Sequence, residues 1–305
     1  RSMARAAAAA ELDGTRSHGL MYIPIYCEHV KCGKVIGDAV PEVHKTGGSS
    51  IRVNANSGFA HPAIDAGFAE LIPAAKENGV AALAIYNSYN CGVLGYHVER
   101  LAKEGLVALG FTNAPASIAP IGGKKPVIGT NPYALAIPSR EGSVAFVMDQ
   151  SASVIAKSEI TLHARENKPI PEGWAFDADG NPTTDPNEAL KGSMAPSGGY
   201  KGFGNGLMVE VFAAALSGAL LGKDASPFAG TAGGPPKTGQ FFFAISPQHF
   251  SGEIFAQRIQ DLCGAIEEQD GARLPGARRA TNRKLLQEEG VEVGEDLIDR
   301  IKAFI

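Results

Sequence analysis

Ser17, His18 and Gly19 stand side by side just before Leu20-Met21-Tyr22-Ile23-Pro24-Ile25-Tyr26, a run that is apolar except for its two tyrosines. The unperturbed pKa of histidine places its charge change near neutral pH, which suits reversible proton transfer. A neighbouring serine hydroxyl can fix the tautomer of the imidazole, and a glycine lets a small substrate approach the backbone closely. A lone Ser-His-Gly also reads as a turn or a helix cap, so its meaning depends on what else the chain carries.

Three other segments hold usable groups. Gly129-Thr130-Asn131-Pro132 sets a hydroxyl and an amide beside a turn. Ser197-Gly198-Gly199-Tyr200-Lys201-Gly202 offers flexible backbone donors and one cation, suited to a phosphate or carboxylate. The stretch from Arg273 to Arg279 adds three guanidinium groups, Arg273, Arg278 and Arg279. Each alone reads more simply as a turn or a solvated basic face. Together they suit a doubly anionic ligand. Of the four cysteines, Cys27, Cys32 and Cys263 read as reduced thiols, whereas Cys91 lies in a polar break and is a candidate site residue.

The elements that must position these groups follow from periodicity. Residues 4–12 favour a helix that Asp13-Gly14 ends, and Tyr22 to Lys34 reads as another. Alternation after Ser49 predicts a strand, and Ala60 to Asn78 an amphipathic helix closed by Gly79. Val80 to Tyr86 and Leu106 to Thr112 are short apolar runs of the kind found in buried strands, with a helix over Tyr96 to Glu104 between them. Strand, helix and strand with short joins make a βαβ unit and a partly parallel sheet, whose strand ends are where such sheets bind ligands. Asn87 to Gly92 forms the polar break at such an end. Further strands are expected at Tyr133 to Pro138, Val144 to Met148 and Gln240 to Ser246. Helices are expected at Ser153 to Arg165, Gly206 to Gly222 and Ile254 to Glu268. The Pro- and Gly-rich stretches 169–196 and 223–239 read as loops.

Length and composition bound the rest. The 305 residues read as one compact unit, 1–305, with mainly helical segments at 1–48 and 270–305 around a mixed-sheet region at 49–269. A hydrophobic share of 44% against 20% charged residues predicts a sizeable core, and a net charge of -4 gives no footprint for nucleic acid. No apolar run is long enough to span a membrane, and Ala6 to Ala10 is too short for a signal sequence, so a cytoplasmic protein is expected. Gly-x-Gly-x-x-Gly after a strand, Gly-Lys-Ser/Thr, His-Glu-x-x-His and Gly-x-Ser-x-Gly are all absent from the sequence. Common hydrolase, metalloprotease and nucleoside-triphosphatase readings lose support accordingly, and no metal is expected.

Six motifs run in order along almost the whole chain. They are Ser17-His18-Gly19 with Pro24 and Tyr26, Gly129-Thr-Asn-Pro, Ile170-Pro-Glu-Gly-Trp-Ala, Pro182-Thr-Thr-Asp-Pro, Gly198-Gly-Tyr-Lys-Gly and Leu274-Pro-Gly. This pattern resembles the malate/L-lactate dehydrogenase family, NAD(P)-dependent oxidoreductases that lack a Rossmann fold. The resemblance implies an α/β, non-Rossmann NAD(P)-binding fold with a mixed, partly parallel sheet and flanking helices. Within that family the chain is most similar to the Δ1-pyrroline-2-carboxylate/Δ1-piperideine-2-carboxylate reductases, through Phe59-Ala-His-Pro-Ala, the Arg273 to Arg279 segment and Glu159. Hydroxy-acid dehydrogenases of the family tend to be basic at that last position, whereas the imine reductases carry a catalytic aspartate.

The roles below are those the resemblance implies. Ser17, His18 and Glu159 are catalytic, and Tyr22, Thr130, Lys157 and Ser158 contact the substrate. The cofactor, NADP with NAD possible, is held by Asn90, Cys91, Gly92, Val93 and Leu94, by Asp149, Gln150 and Ser151, and by Tyr200 and Lys201. Arg273, Pro275, Gly276, Arg278 and Arg279 complete that set, with the phosphate of NADPH suited to Arg278 and Arg279. The substrate is a small 2-imino or 2-oxo acid, the alternative reading is a 2-hydroxy-acid dehydrogenase, and the assembly is a homodimer. Two departures stand out: Tyr22 replaces the family's usual arginine, which holds the substrate carboxylate, and Asn90 replaces its usual histidine.

Overall fold

The computed structural model describes residues 1–304, so Ile305, the last residue of the expected 270–305 segment, lies outside the described residues. In chain order the elements are α1 (Ser2–Leu12), α2 (Ile23–Lys31), β1 (Glu42–Gly47), β2 (Ser50–Asn54), α3 (Ala60–Asn78), β3 (Val80–Ser88), α4 (Leu94–Ala102) and β4 (Val107–Thr112). Then come β5 (Tyr133–Pro138), β6 (Val144–Gln150), α5 (Lys157–Arg165), β7 (Ala175–Phe176), β8 (Pro182–Thr183), α6 (Pro186–Lys191) and β9 (Ser193–Met194). The chain finishes with α7 (Tyr200–Glu210), β10 (Thr238–Ile245), α8 (Glu253–Glu267), α9 (Ala277–Glu289) and α10 (Glu295–Lys302).

A seven-stranded sheet in the order β1-β2-β3-β10-β4-β5-β6 forms the middle layer. Only β2 and β3 pair in parallel, across the α3 crossover, and every other neighbour is antiparallel. The mixed, partly parallel α/β fold expected from the sequence is thus present. The expected β3-α4-β4 unit exists with one difference: β10 inserts between its two strands and pairs antiparallel with both. An insertion from more than 120 residues downstream leaves no local sequence signal.

Period-two alternation explains why the central strands read as continuous apolar runs. Ala81, Leu83 and Ile85 of β3 and Phe242 and Ala244 of β10 face α3 and α4, in a core with Ile64, Phe68, Leu71, Val98 and Leu101. Ala82 and Ala84 of β3 and Phe241 and Phe243 of β10 face the other way, onto Val209, Phe212 and Ala213. Each of the large side chains removed from water here contributes about 1.5–3 kcal/mol.

Four segments differ from the sequence reading. β1 lies inside the stretch expected to be mainly helical; it is an edge strand exposed along its whole length, so it carries no alternating apolar signal. The helix expected over Gly206 to Gly222 begins at Tyr200 and runs through a wider, π-type turn at Val211–Leu216. It starts early because Gly202 and Gly206, which look like loop together with the exposed Gly204, sit where the helix packs tightly. A Cβ on Gly202 would lie 2.0 Å from the Ser197 carbonyl oxygen. The helix expected from Ser153 begins only at Lys157, because Ser153 and Val154 are held in extended pairing with Pro196 and Ala195. The loop expected over 169–196 holds a three-stranded sheet, β8-β7-β9, and α6. There the Asp185 side chain of Pro182-Thr-Thr-Asp-Pro accepts from the Asn187 and Glu188 N–H groups, and Pro186 takes the first helical position. That motif is therefore a helix start.

Candidate active site

Ser17 and His18 lie on a short 3-10 turn between α1 and α2, and Gly19 passes against the buried Glu11 side chain. Glu11 Oε1 accepts from the Leu20 N–H at 2.6 Å, which ties the turn to α1. The Ser17 hydroxyl and His18 Nδ1 are 3.0 Å apart. The His18 ring lies parallel to Tyr22, 4° between planes and 6.2 Å between centroids. Behind Tyr22 an edge-on series continues through Tyr26 (4.8 Å) to Tyr89 (6.0 Å). Tyr89 shares a hydrogen bond with His29 Nδ1.

Burial pushes the His18 pKa below its usual 6.5, and the Asp149 carboxylate pulls it partly back. Burial also raises the Tyr22 phenol, so it is a neutral group at physiological pH. Asp149 sits near the end of β6, where its Oδ2 accepts from the Gly95 N–H at 2.8 Å, in the first turn of α4. Arg279 Nη1 stands 3.5 Å from the same oxygen. Burial lifts the Asp149 carboxyl above the usual aspartate value, while Arg279, the Gly95 N–H and His18 draw it back down. One consequence is measurable. In an NMR titration of the protein alone, His18 is expected to titrate below 6.5, and Asp149→Asn is expected to move it lower still. An unchanged midpoint in that variant would show that the two groups do not couple.

A cleft of about 330 Å³ opens beside this ion pair. Its walls are residues 147–150 of β6 and the stretch 273–279. Asp149, Gln150, Arg273, Pro275, Gly276, Arg278 and Arg279, assigned to the cofactor on the resemblance, thus line one cavity. Gly276 is required there: at φ +80° it caps α9, and a Cβ would lie 2.7 Å from the Val147 carbonyl oxygen. Arg278 and Arg279 occupy the first turn of α9, so their charges and the helix N-terminus face anions together.

The other candidates are placed as follows. Asn90 Oδ1 accepts from the Gly92 N–H at 2.6 Å and shapes the turn into Val93 and Leu94, where α4 begins. Cys91 is buried and its thiol is pushed up to about 12, so it is a protonated core group and only its backbone can serve a ligand. The Cys91 carbonyl accepts from His97 Nε2 at 2.9 Å. His97 and His61 are buried neutral imidazoles with pKa values lowered to about 3 and about 4. Thr130 and Ser151 flank Ala152, whose N–H donates to the Thr130 carbonyl at 2.8 Å. Ala152 also accepts from the Ser197 N–H, so the loop leading to Tyr200 and Lys201 adjoins the β6 end, with both of those side chains exposed. Lys157, Ser158 and Glu159 form the first turn of α5, and burial lowers the lysine pKa. Among the described residues no hydrogen bond or ion pair joins Glu159 to His18. Asp149 is likewise joined to His18 by no hydrogen bond or ion pair among the described residues, but its charge raises the imidazole pKa.

Two sets of contacts that organise the site join residues far apart in the sequence. Asn131, at φ +40°, accepts from the Ala114 N–H and donates to the Gly206 carbonyl (2.8 Å) and to Glu210 Oε2 (2.7 Å), locking the Gly129-Thr-Asn-Pro turn to α7. Arg283 of α9 donates to both oxygens of Asp13 (2.6 and 2.9 Å) and both of Glu99 (2.6 and 2.8 Å). It thereby fastens the helix carrying Arg278 and Arg279 to α1 and α4.

The family model described as malate/L-lactate dehydrogenase matches residues 1–302. The chain belongs to that family. Among its relatives, the (2R)-3-sulfolactate dehydrogenase (NADP(+)) of Chromohalobacter salexigens is 46% identical over 301 residues, covering 99% of this chain and 89% of the relative. The Δ1-pyrroline-2-carboxylate reductase of Agrobacterium fabrum is 42% identical over 295 residues, covering 95% and 85%. The crystal structure of Δ1-piperideine-2-carboxylate reductase from Pseudomonas syringae pvar. tomato superposes with a TM-score of 0.93 at 36% identity, covering all of this chain and 92% of that one. Membership makes the protein an oxidoreductase. No helix among the described residues is long and apolar enough to cross a membrane, and no cluster of three or more His, Cys, Asp or Glu side chains there could hold a metal ion.

Proposed function

We propose that this oxidoreductase uses NADPH to reduce a cyclic 2-imino acid, Δ1-pyrroline-2-carboxylate or Δ1-piperideine-2-carboxylate, to L-proline or L-pipecolate. The observation that carries the reading is the neutral Tyr22 ring lying parallel to His18, with Tyr26 and Tyr89 behind it. A neutral aromatic face beside the imidazole suits a planar ring bearing one carboxylate. Since Tyr22 carries no charge, the carboxylate is held from the other side of the site in this reading, by Thr130 and the first turn of α5. The name of the 46% identical relative favours a second reading, a 2-hydroxy acid of the sulfolactate type.

The cleft between β6 and α9 suits the phosphate groups of NADP. Three guanidinium groups and a helix N-terminus converge there, and Gly276 leaves room for a close backbone approach. When bound, the cofactor supplies a hydride to the substrate carbon next to nitrogen. In this reading His18 provides the proton that completes the amine, Ser17 fixes the imidazole orientation, and Asp149 stabilises the protonated form. Thr130 and the first turn of α5, including Lys157, Ser158 and Glu159, hold the carboxylate side, and Asn90 to Leu94 with Tyr200 and Lys201 hold the cofactor. The exposed apolar row Leu207, Met208, Val211 and Leu216 supports a homodimer as the working assembly.

Steady-state rates decide between the readings. With NADPH, kcat/KM for Δ1-pyrroline-2-carboxylate is expected to exceed that for sulfopyruvate, pyruvate and oxaloacetate by at least tenfold. A reversed order would remove the imine assignment and leave the hydroxy-acid reading standing.

A further inference from the structure

Lys34 is fully buried, yet its ammonium has no carboxylate partner among the described residues. Its Nζ donates instead to three backbone carbonyls of one distant loop: Pro227 at 2.5 Å, Ala229 at 3.3 Å and Gly230 at 2.9 Å. All three ammonium donors are thereby used on a segment some 195 positions away. The local chain is built to deliver this side chain inward. Gly33 takes φ +77° after α2, and the Lys34 N–H turns back to the His29 carbonyl at 2.9 Å, closing the helix. Burying an ammonium is costly unless its donors are met, so the three carbonyls are held as a set or the lysine leaves.

The loop so held runs through Gly230, Gly233 and Gly234, all at positive φ, and has little packing of its own. Its one large apolar anchor is Phe228, which meets Tyr89 edge-on at 5.6 Å. Tyr89 immediately precedes Asn90 and the turn into α4, and its ring packs against Tyr26, the next ring behind Tyr22. Its hydroxyl bonds His29, and its carbonyl accepts from Gln240 Nε2 at 3.1 Å. Resting on the functional reading above, we propose that Lys34 is a positioning residue that clasps loop 226–234 over Tyr89, fixing the turn from Asn90 to Leu94 for the cofactor. The clasp works through a chain of contacts, Lys34 to the loop carbonyls, Phe228 to Tyr89, and Tyr89 to both the turn and the Tyr26 ring behind Tyr22.

The test uses Lys34→Met, which keeps the stem and removes the ammonium, together with Phe228→Ala, which leaves the clasp but removes the anchor. Amide hydrogen exchange in residues 226–234 is expected to accelerate at least tenfold in Lys34→Met, with β3 and β10 unchanged. The Kd for NADPH, read by its fluorescence, is expected to rise at least fivefold in both variants. In turnover, KM for NADPH rises while kcat stays within threefold. Unchanged exchange in the loop overturns the clasp. A freed loop with unchanged NADPH affinity in both variants overturns its link to the site. If Lys34→Met does not fold, Phe228→Ala decides that link alone. The exchange measurement needs no ligand, so a wild-type protein that binds no NADPH would sink the functional reading and leave the clasp to be judged by exchange.

Discussion

Replacing His18 with glutamine is expected to lower kcat by about 10²–10⁴-fold, the range for loss of a positioned general acid. Glutamine keeps a polar, hydrogen-bonding side chain on the turn but cannot carry the proton. Affinity for NADPH is expected to change little, because the arginines that line the cleft sit on a different element, α9 and the stretch before it. Ser17→Ala is expected to cost less, since it loosens the 3.0 Å contact with Nδ1 without removing the acid. Full turnover in His18→Gln, measured by NADPH oxidation under saturating substrate, would end the proposed role. A loss confined to KM would make His18 a binding group.

The second large effect is on stability. Arg283→Met is expected to destabilise the fold by about 3 kcal/mol, at the lower end of what breaking a buried ion pair costs. The guanidinium is partly open to solvent, at 27%, whereas Asp13 and Glu99 are 6% and 12% exposed and would be left without their partner. The pH dependence has a definite sign. Hydrogen bonds from Arg283 and Lys103 hold the Glu99 carboxyl at about 2, below its ordinary 4.5. The group's contribution is therefore complete above about pH 4.5 and is lost as pH falls toward 2. Urea unfolding between pH 7 and pH 3 is expected to show this acid-side loss in the wild type and a flatter profile in the variant. An equal slope in both would show that the Glu99 pair does not set acid stability. Since α9 carries Arg278 and Arg279, weaker NADPH binding is expected alongside.

Much of the fold is legible in the chain wherever both faces of an element do the same thing. Val80 to Tyr86 and Gln240 to Ser246 read as strands because the alternating faces of β3 and β10 both meet apolar cores. Ala60 to Asn78 reads correctly to the residue because its cap signals are local. What the chain hides is set at a distance or by exposure. No residue near β4 announces that β10 will enter beside it, and β1 offers no buried face to detect. The candidate site divides in the same way. Ser17-His18-Gly19 and the Arg273 to Arg279 segment stand out locally, and the structure places the latter along one cleft with Asp149. Arg283 lies 270 and 184 positions from its partners Asp13 and Glu99, and nothing in its neighbourhood marks it. Asn131 and Glu210 are likewise joined across 79 positions. Glu159 is singled out by resemblance alone, whereas the charge of Asp149 reaches His18 from the end of an edge strand more than 120 positions away, which no local pattern marks.

The central claim is that one imidazole gives up a proton beside the carbon that receives a hydride from a reduced nicotinamide. A crystal structure of the protein with NADP+ and L-proline tests it most directly. The expected result has the cofactor phosphates in the cleft lined by Arg273, Arg278 and Arg279, and His18 within hydrogen-bond reach of the proline nitrogen with the nicotinamide ring against the neighbouring carbon. A nicotinamide ring bound away from His18, or a proline nitrogen turned from the imidazole, would contradict it.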